Sequence, residues 1–560
     1  MRKGILHICF LLAGLNSWSQ SSESPASYPL GESCRMLTDR SIYVAGEDIR
    51  FTVFYRSPGG LEEPVWSKVF YAELISPGGT AYSRTKIKID SAGSGGRVEI
   101  PVDLPSGTYF LRGYTRWMKN YGPASYAYLS VDVVNPVKKT VLQTDTLSDF
   151  TLSLSTGLES FQGAGTRVQG MPLQQGKREL VDLELNLEFL SSPLECCVTV
   201  IRQGSLKKQW ASVLAGPHGL LSSWIHVPET RGIAITGRVE EDSSGIPVPF
   251  AVVYISLMGR ESVFLCNFAD SAGRFFFSIP DTYMKHDLFI SANHPGVSHL
   301  RVHIDQDFCL EPVKLPSFPF RVAGEDQDLI KTMVIHAQIQ EQYQASSSES
   351  EAQEQVDKAF FYGEPSSVIR FDEFIRLPTM EEYFTELIPP VSLTRSRRTK
   401  SFTVLGTHPD LKHYDPLVMI DGVAVFDIES VLAISPAYIE RIEIVEAPFV
   451  RGNLTFGGII HLISRKGDMG YIDLPASGLL VNYSMYDKPI AGDPVIKPGD
   501  PRMPDVRNTL YWDPYLRLRP HAPQTISFYT PDAEGAYEAV LRGFDPEGGY
   551  VEYIIPFQVD

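Results

Sequence analysis

The stretch that most constrains this chain is Pro416 to Lys466, where turn chemistry and strand alternation coincide. Leu417-Val418-Met419-Ile420 is an apolar run that meets Asp421-Gly422 and leaves as Val423-Ala424-Val425-Phe426, the strongest short-range hairpin signal available. Asp427 then caps a short helix running to Ala433, and Ser435-Pro436 opens another turn. The chain returns as Arg441-Ile442-Glu443-Ile444-Val445-Glu446, apolar on one face and charged on the other. Gly457-Gly458 ends the following loop, and Ile459-Ile460-His461-Leu462-Ile463 closes the unit against Arg465-Lys466.

This succession resembles the C-terminal half of the plug domain of TonB-dependent outer-membrane receptors. There a V-x-I-D-G-V hairpin, an I-E-R-I-E-I-V strand and a G-G-I-I-x-L-I-S strand follow in that order. The resemblance makes Asp421, Gly422, Ile442, Glu443, Gly457 and Gly458 the plug motif, within a plug-like domain at 370–467. A receptor of that family also needs a barrel of about 22 strands at roughly ten residues each, far more than the span from Gly467 to Asp560 supplies. The expectation is therefore a plug that meets a separate outer-membrane barrel or complex.

The chain opens with Arg2-Lys3, an apolar run from Gly4 to Leu15 and small residues at Ser17 and Ser19, which predicts a signal peptide at 1–19 and export. That run is shorter than the roughly 20 residues of a spanning helix, so no transmembrane helix is expected. Export makes disulfides permissible, but five cysteines remain once Cys9 has left with the signal, at scattered spacings that describe no framework. Vicinal Cys196-Cys197 would bridge each other only under strain and read as core or partly paired thiols.

Two further resemblances lie upstream. Asp39-Arg40, Tyr43 and Gly46-Glu47, followed by Leu104-Pro105, Gly107, Tyr109 and Leu111-Arg112-Gly113-Tyr114, match D-R-x-x-Y-x-x-G-E and L-P-x-G-x-Y-x-L-R-G-Y. These resemble a macroglobulin-like sandwich, placed at 35–136. The Cys-Gly-Glu-Gln run of covalent trapping is absent from the sequence. A second, degenerate sandwich is expected at 140–229. Gly237-Arg238-Val239, Pro247 to Val253, and Asp270 to Phe277 with Gly273 resemble a carboxypeptidase regulatory-like domain, at 232–315. Asp270 and Gly273 read as a turn, since a calcium site needs more carboxylates close by.

At 325–358 the period changes to 3.6, with Leu329, Met333, Ile339 and Tyr343 on a helix face, before a Ser/Glu/Gln-rich linker too polar to bury a core. Thr379 and Glu382 predict a capping box, and Met380, Tyr383, Phe384, Leu387 and Ile388 a buried stripe. A C-terminal β-hairpin segment is expected at 505–560. The fold class is thus mainly β: tandem macroglobulin/Ig-like sandwiches, a small α/β plug-like domain, and a C-terminal β segment.

The formal charge of −17 argues against nucleic acid as a partner. The twelve histidines form no H-E-x-x-H, and neither a G-x-S-x-G elbow nor a P-loop occurs, so no catalytic, metal or cofactor residues are assigned. Arg395, Arg397, Arg398 and Lys400 form a basic run that reads either as charge protecting a strand edge or as a docking patch for an acidic surface. The functional expectation is a non-catalytic exported interaction protein, periplasmic or outer-membrane associated. Its alternative is a macroglobulin-like protease-interacting, adhesive or glycan-binding surface protein.

Overall fold

The computed structural model describes residues 31–56, 66–89, 94–142, 155–156, 174–185, 193–211, 225–258, 262–279, 281–322, 324–345, 360–396, 400–467, 469, 477–495, 503–520, 522–544 and 549–560. The expected signal peptide at 1–19, the expected linker from Ser346 to Gln355, and Arg397 and Arg398 lie outside the described residues. The architecture is mainly β, and the described residues form four sheet assemblies with few helices.

Strands Ser33–Thr38, Asp48–Arg56 and Ser94–Glu99 form one layer of a first sandwich. The opposing sheet is built on Val69–Ile75, Gly107–Thr115 and Ala127–Val134, and Trp210–Ala211 joins its edge through Leu129. Inward-facing Phe51, Val53, Phe70, Tyr109 and Val131 share one core, as alternation in each strand requires.

The other assemblies are nested rather than tandem. Strand Leu194–Arg202, from the region expected to form the second sandwich alone, is flanked by Thr509–Leu518 on one side and Gly535–Phe544 on the other. The expected separate segment at 505–560 is therefore the second half of that sandwich, and Leu180–Leu185 pairs with Gln524–Tyr529 in the layer opposite. The reason is burial: Leu194, Cys196, Val198 and Val200 on one face and Cys197, Thr199 and Ile201 on the other are all buried, which only an interior strand can satisfy. Inside this split domain sits a second insertion host. Ile233–Glu241, Arg274–Ile279 and Leu300–Ile304 pack over Val252–Met258, Val263–Phe268 and Lys285–Asn293. This sheet gains its last strand, Leu479–Ser484, only after the chain has passed through the α/β unit.

The α/β unit has the sheet order Ser367–Arg370, Ile439–Val445, Ile459–Ser464, Leu417–Ile420, Val423–Ala424. Thr379 and Glu382 make the capping box, and Asp427 caps Ile428–Ala433. Met380, Tyr383, Phe384 and Ile388 are buried against Val418, Ile420, Ile442, Ile444, Ile460 and Leu462. Helix Gln327–Ala345 lays Leu329, Met333 and Ala337 on Ile42 and Val44 of the first sandwich. Ile339, expected on that stripe, is half-buried outside the cluster, because ten residues from Leu329 do not return to the same face of a 3.6-residue turn.

Candidate functional site

The six plug-motif residues are brought together, and each has internal work. Asp421 and Gly422 adopt positive φ (48° and 89°), the backbone of a tight hairpin turn. The Asp421 carboxylate accepts from the Ser464 N–H at 2.8 Å, the Ser464 hydroxyl at 2.6 Å and the Met469 N–H at 2.8 Å, tying the turn to the end of Ile459–Ser464. Ile442 lies in the core. A Cβ on Gly457 would sit 2.1 Å from the Tyr414 carbonyl oxygen, and the carbonyl of Gly458, at φ 93°, accepts from the Leu417 N–H at 2.9 Å.

Glu443 belongs to a buried relay that the sequence did not announce. Gly422 N–H donates to His461 Nε2 at 2.9 Å. An N–H can only donate, so Nε2 carries the lone pair and Nδ1–H is left to donate to the Tyr362 hydroxyl, 2.6 Å away. That hydroxyl donates to Glu443 Oε2 at 2.6 Å, and Arg441 Nε donates to Glu443 Oε1 at 2.8 Å. Burial, assisted by the Arg441 charge, pushes the His461 pKa down to about 3, so the imidazole is neutral. Phe360 meets its ring edge-on at 4.5 Å. His461 and Tyr362 escaped the sequence reading because a histidine within an apolar strand carries no spacing signal.

This relay lies on the face of the sheet that points to the inserted sandwich. Leu417, Met419, Ala424 and Ile459 pack there against Tyr254, Phe264 and Cys266, with Phe361, Phe426 and Phe449 between them. One face of the α/β unit is thus sealed within the chain and the other carries its own helices.

Among the described residues, one edge of its sheet carries no further strand. Strand Ser367–Arg370 ends the sheet, with Val368 exposed. The loop after it presents Phe374 at 41% and Ile375 at 86% exposure. In the basic run, Arg395 bonds Glu381, and Lys400 lies 2.9 Å from Glu429 and 3.8 Å from Glu381. These two bases are matched by acids on their own unit, while Arg397 and Arg398 lie outside the described residues.

The upstream motifs are likewise engaged internally. Tyr43 donates to Asp39 at 2.7 Å, while Thr509 and Asn508 of the returning C-terminal strand donate to Asp39 (2.7 Å) and Glu47 (2.9 Å). Buried Arg112 and Tyr114 both bond Glu73 at 2.7 Å. The Asp270 carboxylate accepts from Ala272 and Arg274 N–H at 2.8 Å each, so it shapes a turn. The five cysteines among the described residues, Cys34, Cys196, Cys197, Cys266 and Cys309, are free and buried, and Cys196 and Cys197 enter different cores. Among the described residues no group of three His, Cys, Asp or Glu is placed to hold a metal ion, and no helix is long and apolar enough to cross a membrane.

No family model and no curated protein matches the chain. Its trace overlaps Salmonella alpha-2-macroglobulin reacted with methylamine at 9% identity over 94% of this chain and 39% of that one, with TM-score 0.23. Native E. coli alpha-2-macroglobulin gives 7% identity over 95% and 40%, with TM-score 0.24. Dimeric latent PorU from Porphyromonas gingivalis gives 9% over 50% and 33%, with TM-score 0.16. The chain spans about two fifths of these macroglobulins, and overlaps this slight carry no argument about fold or function.

Proposed function

We propose that this chain is a non-catalytic, exported interaction protein that docks on a separate outer-membrane barrel or complex through its α/β unit. The sequence resemblance to the TonB-receptor plug motivates the choice of partner. The observation that carries the reading is the combination of a sheet edge unpaired among the described residues, Ser367–Arg370, with the exposed apolar loop residues Phe374 and Ile375 on a unit whose sheet faces are covered. Neighbouring exposed apolar residues beside an unpaired edge form a recognition surface with both hydrogen-bonding and desolvation terms. The six plug-motif residues serve as its scaffold, and the nested sandwiches hold it.

The test is recovery of partners from solubilised outer membranes with tagged wild-type chain and with Phe374→Ser/Ile375→Glu. An outer-membrane protein retained by the wild type and lost from the variant supports the reading. Equal recovery by both, or a free monomer alone, overturns it.

A further inference from the structure

The first sandwich meets the inserted sandwich across a polar seam. Glu229, 1% exposed, lies just before Ile233–Glu241; its Oε1 accepts from the Tyr71 hydroxyl at 2.9 Å and from the Ala234 N–H at 2.7 Å. Its own carbonyl accepts from Lys68 N–H at 2.7 Å. Beside it Lys86 donates to Asp307 at 2.6 Å and to the Ser484 carbonyl at 2.8 Å, and Tyr483 donates to Asp307. Arg116 bonds Thr236 at 2.7 Å, and Lys119 bonds the Asp307 carbonyl at 2.9 Å. The seam therefore joins strands of the first sandwich to both ends of the inserted one, including Leu479–Ser484, the strand that returns from the α/β unit.

We propose that this seam is a proton-operated latch: protonated Glu229 closes it, and loss of that proton loosens the hold of the first sandwich on the inserted sandwich and the α/β unit it carries.

Asp307 has a lysine against it, whereas among the described residues Glu229 bonds only uncharged donors, with Arg116 close enough to be felt but bonded to Thr236 and the Ala234 carbonyl. A carboxylate in that position is poorly compensated for the water it has lost. Burial, the largest influence, raises its pKa from 4.5 to about 7. Of the other groups facing it, Tyr71, Tyr483 and Tyr486 are pushed upward by burial and stay neutral. His226 is pushed down to about 4 by burial and by Lys119 and Arg116, and is neutral above that pH. Arg116 keeps its charge. Because the closed-state pKa is raised, closure is strongest below pH 4.5 and is lost as pH rises through about 7. Over that window the closing equilibrium weakens on the order of a hundredfold.

Amide exchange of the full chain from about pH 5 to about pH 8.5, corrected for intrinsic rates, tests this. Peptides over 229–236, 305–309 and 479–486 should lose protection as pH rises, while Leu194–Arg202 holds. Glu229→Gln, a neutral isostere of the closed acid, should flatten the response at high protection. Tyr71→Phe removes a donor to the carboxylate and should move the midpoint upward. A flat wild-type response, an unchanged slope in Glu229→Gln, or a Tyr71→Phe midpoint that stays or falls overturns the proposal.

Discussion

Replacing Tyr362 by Phe deletes one hydroxyl and nothing else, yet that oxygen serves two buried partners at 2.6 Å each, His461 Nδ1 and Glu443 Oε2. His461 is fully buried and Glu443 is 7% exposed, so water does not readily replace what is lost. Glu443 keeps Arg441 on its other oxygen, which limits the damage on that side. An unsatisfied buried polar group costs about 1–3 kcal/mol, so two of them, one partly compensated, cost about 2–4 kcal/mol. Because about 1.4 kcal/mol is a factor of ten, amide exchange in Ile459–Ser464 should accelerate between roughly thirtyfold and a thousandfold. Tyr414→Phe, at an exposed site on the same unit, is the control and should change stability by less than about 0.5 kcal/mol. Exchange within threefold of wild type in Tyr362→Phe would show that the relay does not hold the sheet, and the reasoning from buried partners would fail.

Acidification should loosen the same strands by a second route. The folded pKa of His461 lies well below its ordinary value of 6.5, so its contribution is present above about pH 6.5 and is lost as pH falls toward about 3. Exchange in Ile439–Val445 and Ile459–Ser464 should rise through that window, opposite in sign to the Glu229 seam, and a flat profile would contradict the neutral assignment. Gly457→Ala forces a Cβ to 2.1 Å from one backbone oxygen and 2.5 Å from another, and should cost about 3 kcal/mol or more by denaturant unfolding. A loss below about 1 kcal/mol would mean that the loop shifts freely. The five buried thiols should resist a water-soluble thiol reagent until the chain is denatured, with burial pushing the Cys197 thiol up to about 11 and Cys266 to about 12. Prompt native labelling of any of them would contradict its burial.

The α/β unit was legible because its signals are local. Asp421-Gly422 dictates a turn, Asp427 and Thr379 cap helices from within three residues, and Gly457 and Gly458 sit where backbone approaches backbone. The nesting was not legible. Leu194–Arg202, with Glu195 and Thr199 the only polar residues before its final arginine, signals an interior strand, but nothing in it names Thr509–Leu518 or Gly535–Phe544 as its neighbours. Lys285–Asn293 likewise gives no sign that its last partner comes from Leu479–Ser484. Side-chain alternation specifies a face and a register; the identity of a distant partner is decided by competition for burial over the whole chain. The same limit applies to the relay: Tyr362 and His461 are ninety-nine residues apart and meet only once the sheet exists.

The nested arrangement is tested most directly by amide exchange at Leu194–Arg202 in the full chain and in a chain truncated after Asp505. The account predicts slow exchange in the full chain, matching Gly535–Phe544, and exchange near the unfolded rate once both flanking strands are gone. Retained protection of Leu194–Arg202 in the truncated chain would contradict it.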